Sequence, residues 1–466
     1  MILKPIARNQ RSELRTQNSE LPNESGFGSA QPGRVGTEAS GRGPEVRLPD
    51  FSFSAFRYFS FSAFAFLLCG TAATAQDALR LSLSNESAAS QRRIDLENIP
   101  YTVRWGDLKL LTSASVAGDW NDNINLVNSN PQQDFTFTPM GKLDAFWPVT
   151  EVNLLTFSMG GGYEKFFRYD QYDQALITPD SALGWDVFIK DWHINFHDQF
   201  SYDQEPTTWG AISGTALFGG LYNTAGILAS WDLHDVVLSF GYDHFNFESA
   251  TSTYDYLSRA SDFALFRAGF KVHPAATVGA EVSGGPTTYD QKELSDNTTY
   301  SAGVFADWQL TPQIKLQPRG GYYIYDFSEP NLNGGTSGET GYYFSLNLSH
   351  RPNEKVTYSV EGGRQAFMGN NSALTELWYG TVYADWHIIE HISLHTGFRY
   401  EAATQPITFQ LSDNYDRDFA DIKLSCPIKE KLTASLEYRY WLKTDEHYDV
   451  FNYEQDRLTL QLAYHF

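Results

Sequence analysis

The chain is poor in sulfur, with two cysteines, Cys69 and Cys426, and four methionines in 466 residues. It is also short of positive charge: 34 Lys and Arg stand against 56 Asp and Glu, a formal net charge of −22. That balance repels a polyanionic backbone and argues against nucleic-acid binding. Beyond residue 75 no apolar run approaches the roughly 18 residues that a membrane-spanning helix requires. If the protein crosses a membrane, it does so as strands. Aromatic side chains, by contrast, are plentiful at 15 % of the chain, with 33 Phe and 27 Tyr. Such a composition excludes disorder over the bulk of the sequence.

The first 75 residues stand apart. Residues 1–50 are polar, Gly/Ser/Arg-rich and without periodicity, and predict no structure. Residues 51–75 carry Arg57, the apolar core Phe61–Leu68, and Ala73-Thr74-Ala75 before polar Gln76. This pattern of a basic flank, a short apolar core and a small-x-small site predicts a secretory signal peptide cleaved between Ala75 and Gln76. Leu68 is bulky where a lipidated leader wants a small residue before Cys69. A leader that begins 50 residues in predicts a translation start near Val46 or Leu48, checked by N-terminal sequencing of the unprocessed precursor. The mature chain would keep 26 of the 34 basic and 50 of the 56 acidic residues, near −24. It retains only Cys426, so no internal disulfide can form despite the oxidising compartment.

The mature chain alternates with period two almost throughout. In the last segment Leu458, Leu460, Leu462, Tyr464 and Phe466 share one face, with Thr459, Gln461, Ala463 and His465 on the other. Leu432, Ala434, Leu436, Tyr438 and Tyr440 oppose Thr433, Ser435, Glu437 and Arg439 in the same way. One apolar and one polar face is the signature of strands. Eighteen such runs are centred near residues 114, 140, 158, 186, 198, 226, 241, 267, 282, 304, 320, 345, 361, 381, 397, 421, 437 and 459. The spacing of about 22 residues leaves about 10 for each span, the length of a tilted membrane strand.

The connections alternate short and long. Short ones fall at Pro148–Glu151, Lys190–Trp192, Leu233–Asp235, Pro274–Ala276, Pro312–Gln313, Pro352–Lys355, Ile389–Glu390 and Pro427–Glu430. Long, mostly polar ones are expected at 121–133, 168–181, 202–219, 248–261, 327–339, 402–415 and 443–452, with two shorter ones near 293 and 371. Short turns at one rim and long loops at the other describe an all-β, transmembrane, antiparallel up-and-down barrel of about 18 strands, 16 being also compatible. The expected organisation is an N-terminal extension (1–50), a leader (51–75), a periplasmic segment (76–106) and an outer-membrane barrel (107–466). Trp147, Trp192, Trp231, Trp308 and Trp386 lie within a few residues of short turns and read as the periplasmic aromatic girdle. The terminal Tyr464 and Phe466 read as the signal by which the barrel-assembly machinery recognises its clients.

Trp105-Gly-Asp-Leu108, Val116-Ala-Gly-Asp-Trp-Asn-Asp-Asn123, the Asp134-Phe-Thr-Phe-Thr-Pro run and His197-Asp-Gln-Phe-Ser-Tyr-Asp-Gln-Glu-Pro206 carry a family resemblance. With the turns at Leu310–Leu316 and Arg351–Val356, the chain resembles the outer-membrane β-barrel porin families over roughly 100–466. Some members accompany exopolysaccharide-export and exosortase gene clusters. The resemblance implies a channel or an export conduit.

The titratable residues offer few arrangements suited to chemistry. His387-Ile-Ile-Glu390-His391 spells H-x-x-E-H, with His395 four residues on. On a helix this would suit zinc, but here it straddles a strand turn and predicts rim histidines. His193, His197, Asp198, Asp243 and His244 come close in sequence without a serine in a nucleophile context, so a barrel-embedded hydrolase is disfavoured. Alternation puts Asp198 on the lipid side with Ile194 and Phe196, which predicts a bulge or a place near the outer rim. No nucleotide, haem or metal motif stands, and no cofactor is expected.

Alternation turns Lys315, Arg319, Glu361, Arg399, Glu401, Asp421, Lys423, Glu437 and Arg439 toward the lumen as pore-lining candidates. Mixed charge there neutralises itself across the ladder and can also filter ions and small polar solutes. The longest connection holds Trp209-Gly-Ala-Ile-Ser-Gly-Thr-Ala-Leu-Phe218, too apolar for a surface loop, and is expected to fold inward, with Trp209 and Phe218 narrowing the pore. Acids in the outer loops (Asp170, Asp173, Asp413, Asp416, Asp445, Glu446, Asp449) lean the mouth toward cations and offer divalent bridging to lipopolysaccharide. The expected function is passive diffusion of small hydrophilic solutes or ions. The alternative is a barrel component of polysaccharide export, for which Tyr323, Tyr325, Tyr379 and Tyr383 would stack sugars. Expected partners are outer-membrane lipid and lipopolysaccharide, the assembly machinery, two further copies in a homotrimer, and polysaccharide-export components.

Overall fold

The computed structural model describes residues 100–329, 337–370, 374–389, 391–408 and 411–466. The leader, its Ala75–Gln76 cleavage site and the upstream extension lie outside the described residues.

The strands follow in chain order: β1 (Val103–Trp105), β2 (Leu108–Asn121), β3 (Asp134–Pro148), β4 (Leu154–Phe166), β5 (Gln174–Ile177), β6 (Ala182–Ile189) and β7 (Trp192–Asp203). After the longest loop come β8 (Gly220–Asp232), β9 (Val236–Ser249), β10 (Arg259–His273), β11 (Ala276–Tyr289), β12 (Asn297–Thr311) and β13 (Ile314–Phe327). The chain finishes with β14 (Gly338–Asn353), β15 (Val356–Met368), β16 (Leu374–Ile389), β17 (Ile392–Thr408), β18 (Leu411–Lys429), β19 (Leu432–Asp445) and β20 (Tyr453–His465). Each pairs antiparallel with its neighbour, and β2 pairs with β20 from Ser113↔His465 to Asn121↔Arg457, which closes the sheet. The short β1 runs beside the foot of β2. Segments β5 and β6 both lie between β4 and β7 and form one interrupted barrel strand, so the closed barrel has 18 strands.

The interruption has a local cause. Gly161 pairs with Ile177 and Ser158 with Ala182, so Thr178–Ser181 bulge out opposite Met159 and Gly160. A Cβ on Gly160 would meet the Thr178 hydroxyl at 2.3 Å, so glycine is what lets the bulge close down on β4. Its effect is to aim Asp180 at Lys142, with which it pairs.

The outside is apolar and the inside polar, the inverse of a soluble core. Phe240, Phe266, Val282, Val304, Leu346, Phe398, Leu436 and Leu460 face outward, exposed, on eight different strands. The opposite face carries Asp119, Arg267, Glu281, Glu401, Arg417 and Arg457, all buried. This sided pattern over strands of 12 residues (β7) to 19 (β18) fits a bilayer outside and water or protein inside. Trp147, Trp192, Trp308 and Trp386 lie exposed at the short-turn end, and Trp192 stacks on Trp231 at 4.9 Å. A second belt, which the sequence reading passed over, lies toward the long-loop end: Trp120, Tyr163, Tyr300, Tyr322, Tyr342 and Trp378 are all exposed. Tyr464 meets Phe466 edge-on at 5.2 Å, and the Phe466 N–H donates to the Thr112 carbonyl across the closing seam.

Two expected loops contain strand. Within 168–181, Gln174–Ile177 pairs with β4. Within 402–415, β17 and β18 stay paired out to Thr408↔Leu411, with one register shift after Pro406, which puts Asp416 on a strand. The second segment ends in the polar run Ser412-Asp-Asn414, where pairing continues beyond the apolar belt. Asp413 lies on this extension with its side chain outside the described residues. Nor does Asp198 sit in a bulge: the ladders on both sides of β7 run through it unbroken. Its carboxylate accepts a 2.6 Å hydrogen bond from the Asn223 amide on the same face, which supplies the polar partner that lipid cannot.

Candidate functional site

The lumenal wall is a set of hydrogen-bonded charge networks. On β16–β18, His395 contacts Asp385 at 2.8 Å and Asp421 at 3.5 Å. Next to them Glu437 bridges Lys423 at 3.6 Å and Arg439 at 3.7 Å. On β10–β14, Arg267 lies 3.7 Å from the centre of the Phe305 ring and 3.5 Å from Glu281, which also accepts from the Tyr343 hydroxyl. Lys315, Arg319 and Glu361 fall on the lumenal face by register, and Glu361 accepts from the Tyr379 hydroxyl at 3.0 Å.

Histidines that read as isolated in the sequence are in fact linked. His193 and Asn195 both contact one Asp186 oxygen at 2.8 Å, the Asn195 carbonyl lies 3.0 Å from His197 Nδ1, and His197 Nε2 lies 2.9 Å from Asp243. The last contact spans an intervening strand: His197, Gly226 and Asp243 occupy one register row across β7, β8 and β9. A Cβ on Gly226 would sit 1.9 Å from the Asp243 carboxylate, so only glycine leaves the gap. His244 lies on the other face with Asp262 and Tyr242, outside the lumen. His387 is exposed at the foot of β16 and His391 lies in the following turn, while Glu390 falls outside the described residues.

The loop between β7 and β8, residues 204–219, turns into this lumen. It leaves the wall at β7 and reaches β18–β20, about a third of the way round the barrel. There Arg417 on β18 donates to the Thr207 carbonyl at 2.9 Å, and Lys443 on β19 donates to the Ala211 carbonyl and the Ser213 hydroxyl at 3.2 Å. Arg457 on β20 pairs with both Glu205 and Asp119. Arg417 is itself clamped by Glu401, which also holds Arg399 at 2.6 Å. The Gly214 N–H donates to the carbonyl of Leu126 in the first loop, a buried residue held at φ +48°.

The loop's apolar side packs the other way. Trp209, Ile212 and Phe218 are buried in one cluster with Phe247, Tyr289, Tyr323, Tyr325, Tyr343 and Met368. The Trp209 indole N–H donates to the Tyr222 hydroxyl at 3.0 Å. Held on both sides, the loop crosses the lumen rather than lying on one wall.

Electrostatics fasten its near end. Glu205 keeps 28 % of its side-chain surface open, but to the barrel interior rather than bulk water. Burial alone would raise its carboxyl, yet the Arg457 charge and the Thr207 hydroxyl outweigh it and hold the group down at about 2. Elsewhere at the rim, burial and the neighbouring Asp456 carboxylate raise Asp122.

The loop anchors Glu205, Arg417, Lys443 and Arg457 went unremarked in the sequence reading. Arg457 shares parity with lumenal Thr459 and Gln461, and Arg417 lay inside a strand whose alternation was legible. Lys443 opens a segment that reads as a loop, and nothing in the sequence pairs any of them with a distant segment.

No family model and no curated protein matches the chain. Among solved structures, it is similar in architecture to Pseudomonas aeruginosa OccK2 (OpdF) in complex with glucuronate, at 10 % identity and a TM-score of 0.45, covering 77 % of this chain and 98 % of that one. A BenF-like porin from Pseudomonas fluorescens Pf-5 gives 10 % identity and a TM-score of 0.44 over 77 % of this chain and 99 % of that one. Acinetobacter baumannii OccAB3 gives 9 % and 0.43 over 77 % and 99 %.

Proposed function

We propose that this 18-stranded outer-membrane barrel is a porin-like channel for passive diffusion of small hydrophilic solutes and ions, with loop 204–219 as its constriction. The observation that carries the reading is the loop itself, which enters a polar lumen and is fastened there by Arg417, Lys443 and Arg457. A barrel of this strand number is too wide for its own side chains to fill, so a segment across the lumen sets the width of the path. The three cations at loop level are engaged by loop carbonyls and carboxylates, which leaves rim acids to favour cations over anions. Catalysis forms no part of the reading: Ser230, opposite His193 in the ladder, shares a hydrogen bond with Ser239 at 3.0 Å.

Deleting 209–217 tests it. The expected result is a folded, heat-modifiable barrel with a several-fold larger single-channel conductance, and unchanged conductance contradicts the constriction. A second reading, a barrel component of polysaccharide export, is favoured by the lumenal tyrosines Tyr323, Tyr325, Tyr379 and Tyr383. It predicts that soluble polysaccharide blocks the current of the deleted barrel.

A further inference from the structure

Several seams of the barrel wall carry short gaps of a few residues, as between β3 and β4, β10 and β11, and β12 and β13, but the β14–β15 seam is left open over a longer stretch at its upper end. Strands β13 and β14 pair from Ile314↔His350 up to Asp326↔Gly338, and β15 and β16 pair from Val356↔Trp386 up to Met368↔Leu374. The ladder between β14 and β15, however, stops at Phe344↔Arg364. Glu339–Tyr342 therefore have no strand partner among the described residues of β15, a stretch of about 13 Å at 3.3 Å per residue.

The cause is the upper end of the β15–β16 pair, residues 365–368 with 374–377, which leans into the lumen instead of continuing the wall. Both of its faces are covered. Met368 and Leu374 pack in the aromatic cluster that holds Trp209, with Ala366 against it. Phe367 and Leu377 pack on the other side with Ala403 and Tyr415.

Side chains close the seam where backbone does not. Arg364 reaches across to the Tyr342 carbonyl, lies 4.1 Å over the Tyr342 ring and pairs with Glu376. The Tyr323 hydroxyl donates to Glu376 at 3.3 Å and the Tyr325 hydroxyl to the Ala366 carbonyl at 3.2 Å. A latch made of side chains opens by rotamer changes, whereas a strand ladder opens only by breaking consecutive backbone bonds.

On its lumenal side the latch borders Tyr323, Tyr325, Tyr343 and Met368, part of an aromatic patch of the lumen. On its outer side it borders exposed Tyr342, Phe344 and Trp378, in the half of the barrel nearer the long loops. An aromatic surface thus runs from the lumen to the lipid face through this unpaired stretch of the wall, while the axial path is crossed by loop 204–219.

We propose that the β14–β15 seam is a lateral portal through which single-chain amphiphiles pass between the lumen and the outer leaflet, gated by Arg364 and Glu376. The tail travels over the tyrosine patch, and the polar head stays against the charged wall until it reaches the interface. This route is additional to axial diffusion of hydrophilic solutes and is separable from it.

The test uses the full barrel in vesicles loaded internally with a fluorescent dodecyl sulfonate, which does not flip unaided. Transfer is read as the albumin-extractable fraction, and sugar flux by vesicle swelling is the control. In a Cys426→Ser background, Tyr342→Cys and Ala366→Cys are joined by a short bismaleimide. The expected result is at least a tenfold fall in amphiphile transfer with sugar flux unchanged within twofold. Glu376→Gln, which needs no bridge and leaves the wall residues in place, is expected to raise transfer several-fold. No transfer by the unmodified barrel, transfer unaffected by the bridge, or an equal fall in both fluxes overturns the portal. Loss of sugar flux in the unmodified barrel would instead contradict the channel reading.

Discussion

Replacing Glu205 with Gln removes one charge from the root of the inward loop and leaves its shape nearly intact. Glu205 pairs with Arg457, and its carboxyl is held at about 2 against 4.5 in water. That difference corresponds to about 3 kcal/mol favouring the docked, ionised state at neutral pH. Arg457 keeps Asp119 as a partner, so the substitution leaves no orphaned buried cation to inflate the effect. Arg417, Lys443 and the buried Trp209 and Phe218 still hold the loop. The variant should therefore retain the native main conductance. Its excursions to a wider state should become about a hundredfold more frequent, the ratio that 3 kcal/mol implies at 1.4 kcal/mol per tenfold. Lowering the pH of the native protein should reproduce this. Because the docked carboxyl lies below its free value, its contribution is complete above about 4.5 and disappears as the pH falls through about 2. Single-channel recording in a planar bilayer reads both. Equal excursion frequencies in native and variant channels at pH 7, or a native channel indifferent to pH between 5 and 2, would refute the reasoning.

Gly226→Ala should cost about 1–3 kcal/mol in urea unfolding, because its Cβ occupies the place of the Asp243 carboxylate and breaks the contact with His197; a loss below about 0.5 kcal/mol would show that the relay contributes nothing. Trp192→Ala and Trp231→Ala should be non-additive by about 1 kcal/mol in a double-mutant cycle, from their stacking at 4.9 Å. Asn223→Ala should destabilise the bilayer-embedded barrel more than Asn223→Asp at pH 3, where a protonated carboxyl can still donate to Asp198; thermal unfolding followed by gel mobility checks the order.

The architecture was readable because a barrel repeats one rule eighteen times. Every strand centre in the sequence reading falls inside an observed strand, since lipid on one side and a wet lumen on the other force alternation at each residue. The rule weakens where lipid ends. Residues 402–415 looked like a loop because they are polar, yet pairing there continues above the membrane. The contents of the lumen were less legible. An apolar loop next to Asp203 announced burial, but its anchors Arg417, Lys443 and Arg457 lie more than 200 positions away, and nothing in a single sequence links them. The same holds for the unzipped seam. Alternation runs smoothly through β14 and β15, and only the three-dimensional lean of the hairpin separates them.

A porin-like channel must conduct through its lumen despite the loop across it. The most direct measurement is current through single copies of the protein, purified from outer membranes, in a planar bilayer under a salt gradient. Stable, stepwise openings with a reversal potential on the cation side are expected. A folded, heat-modifiable barrel that passes no current would contradict the channel reading.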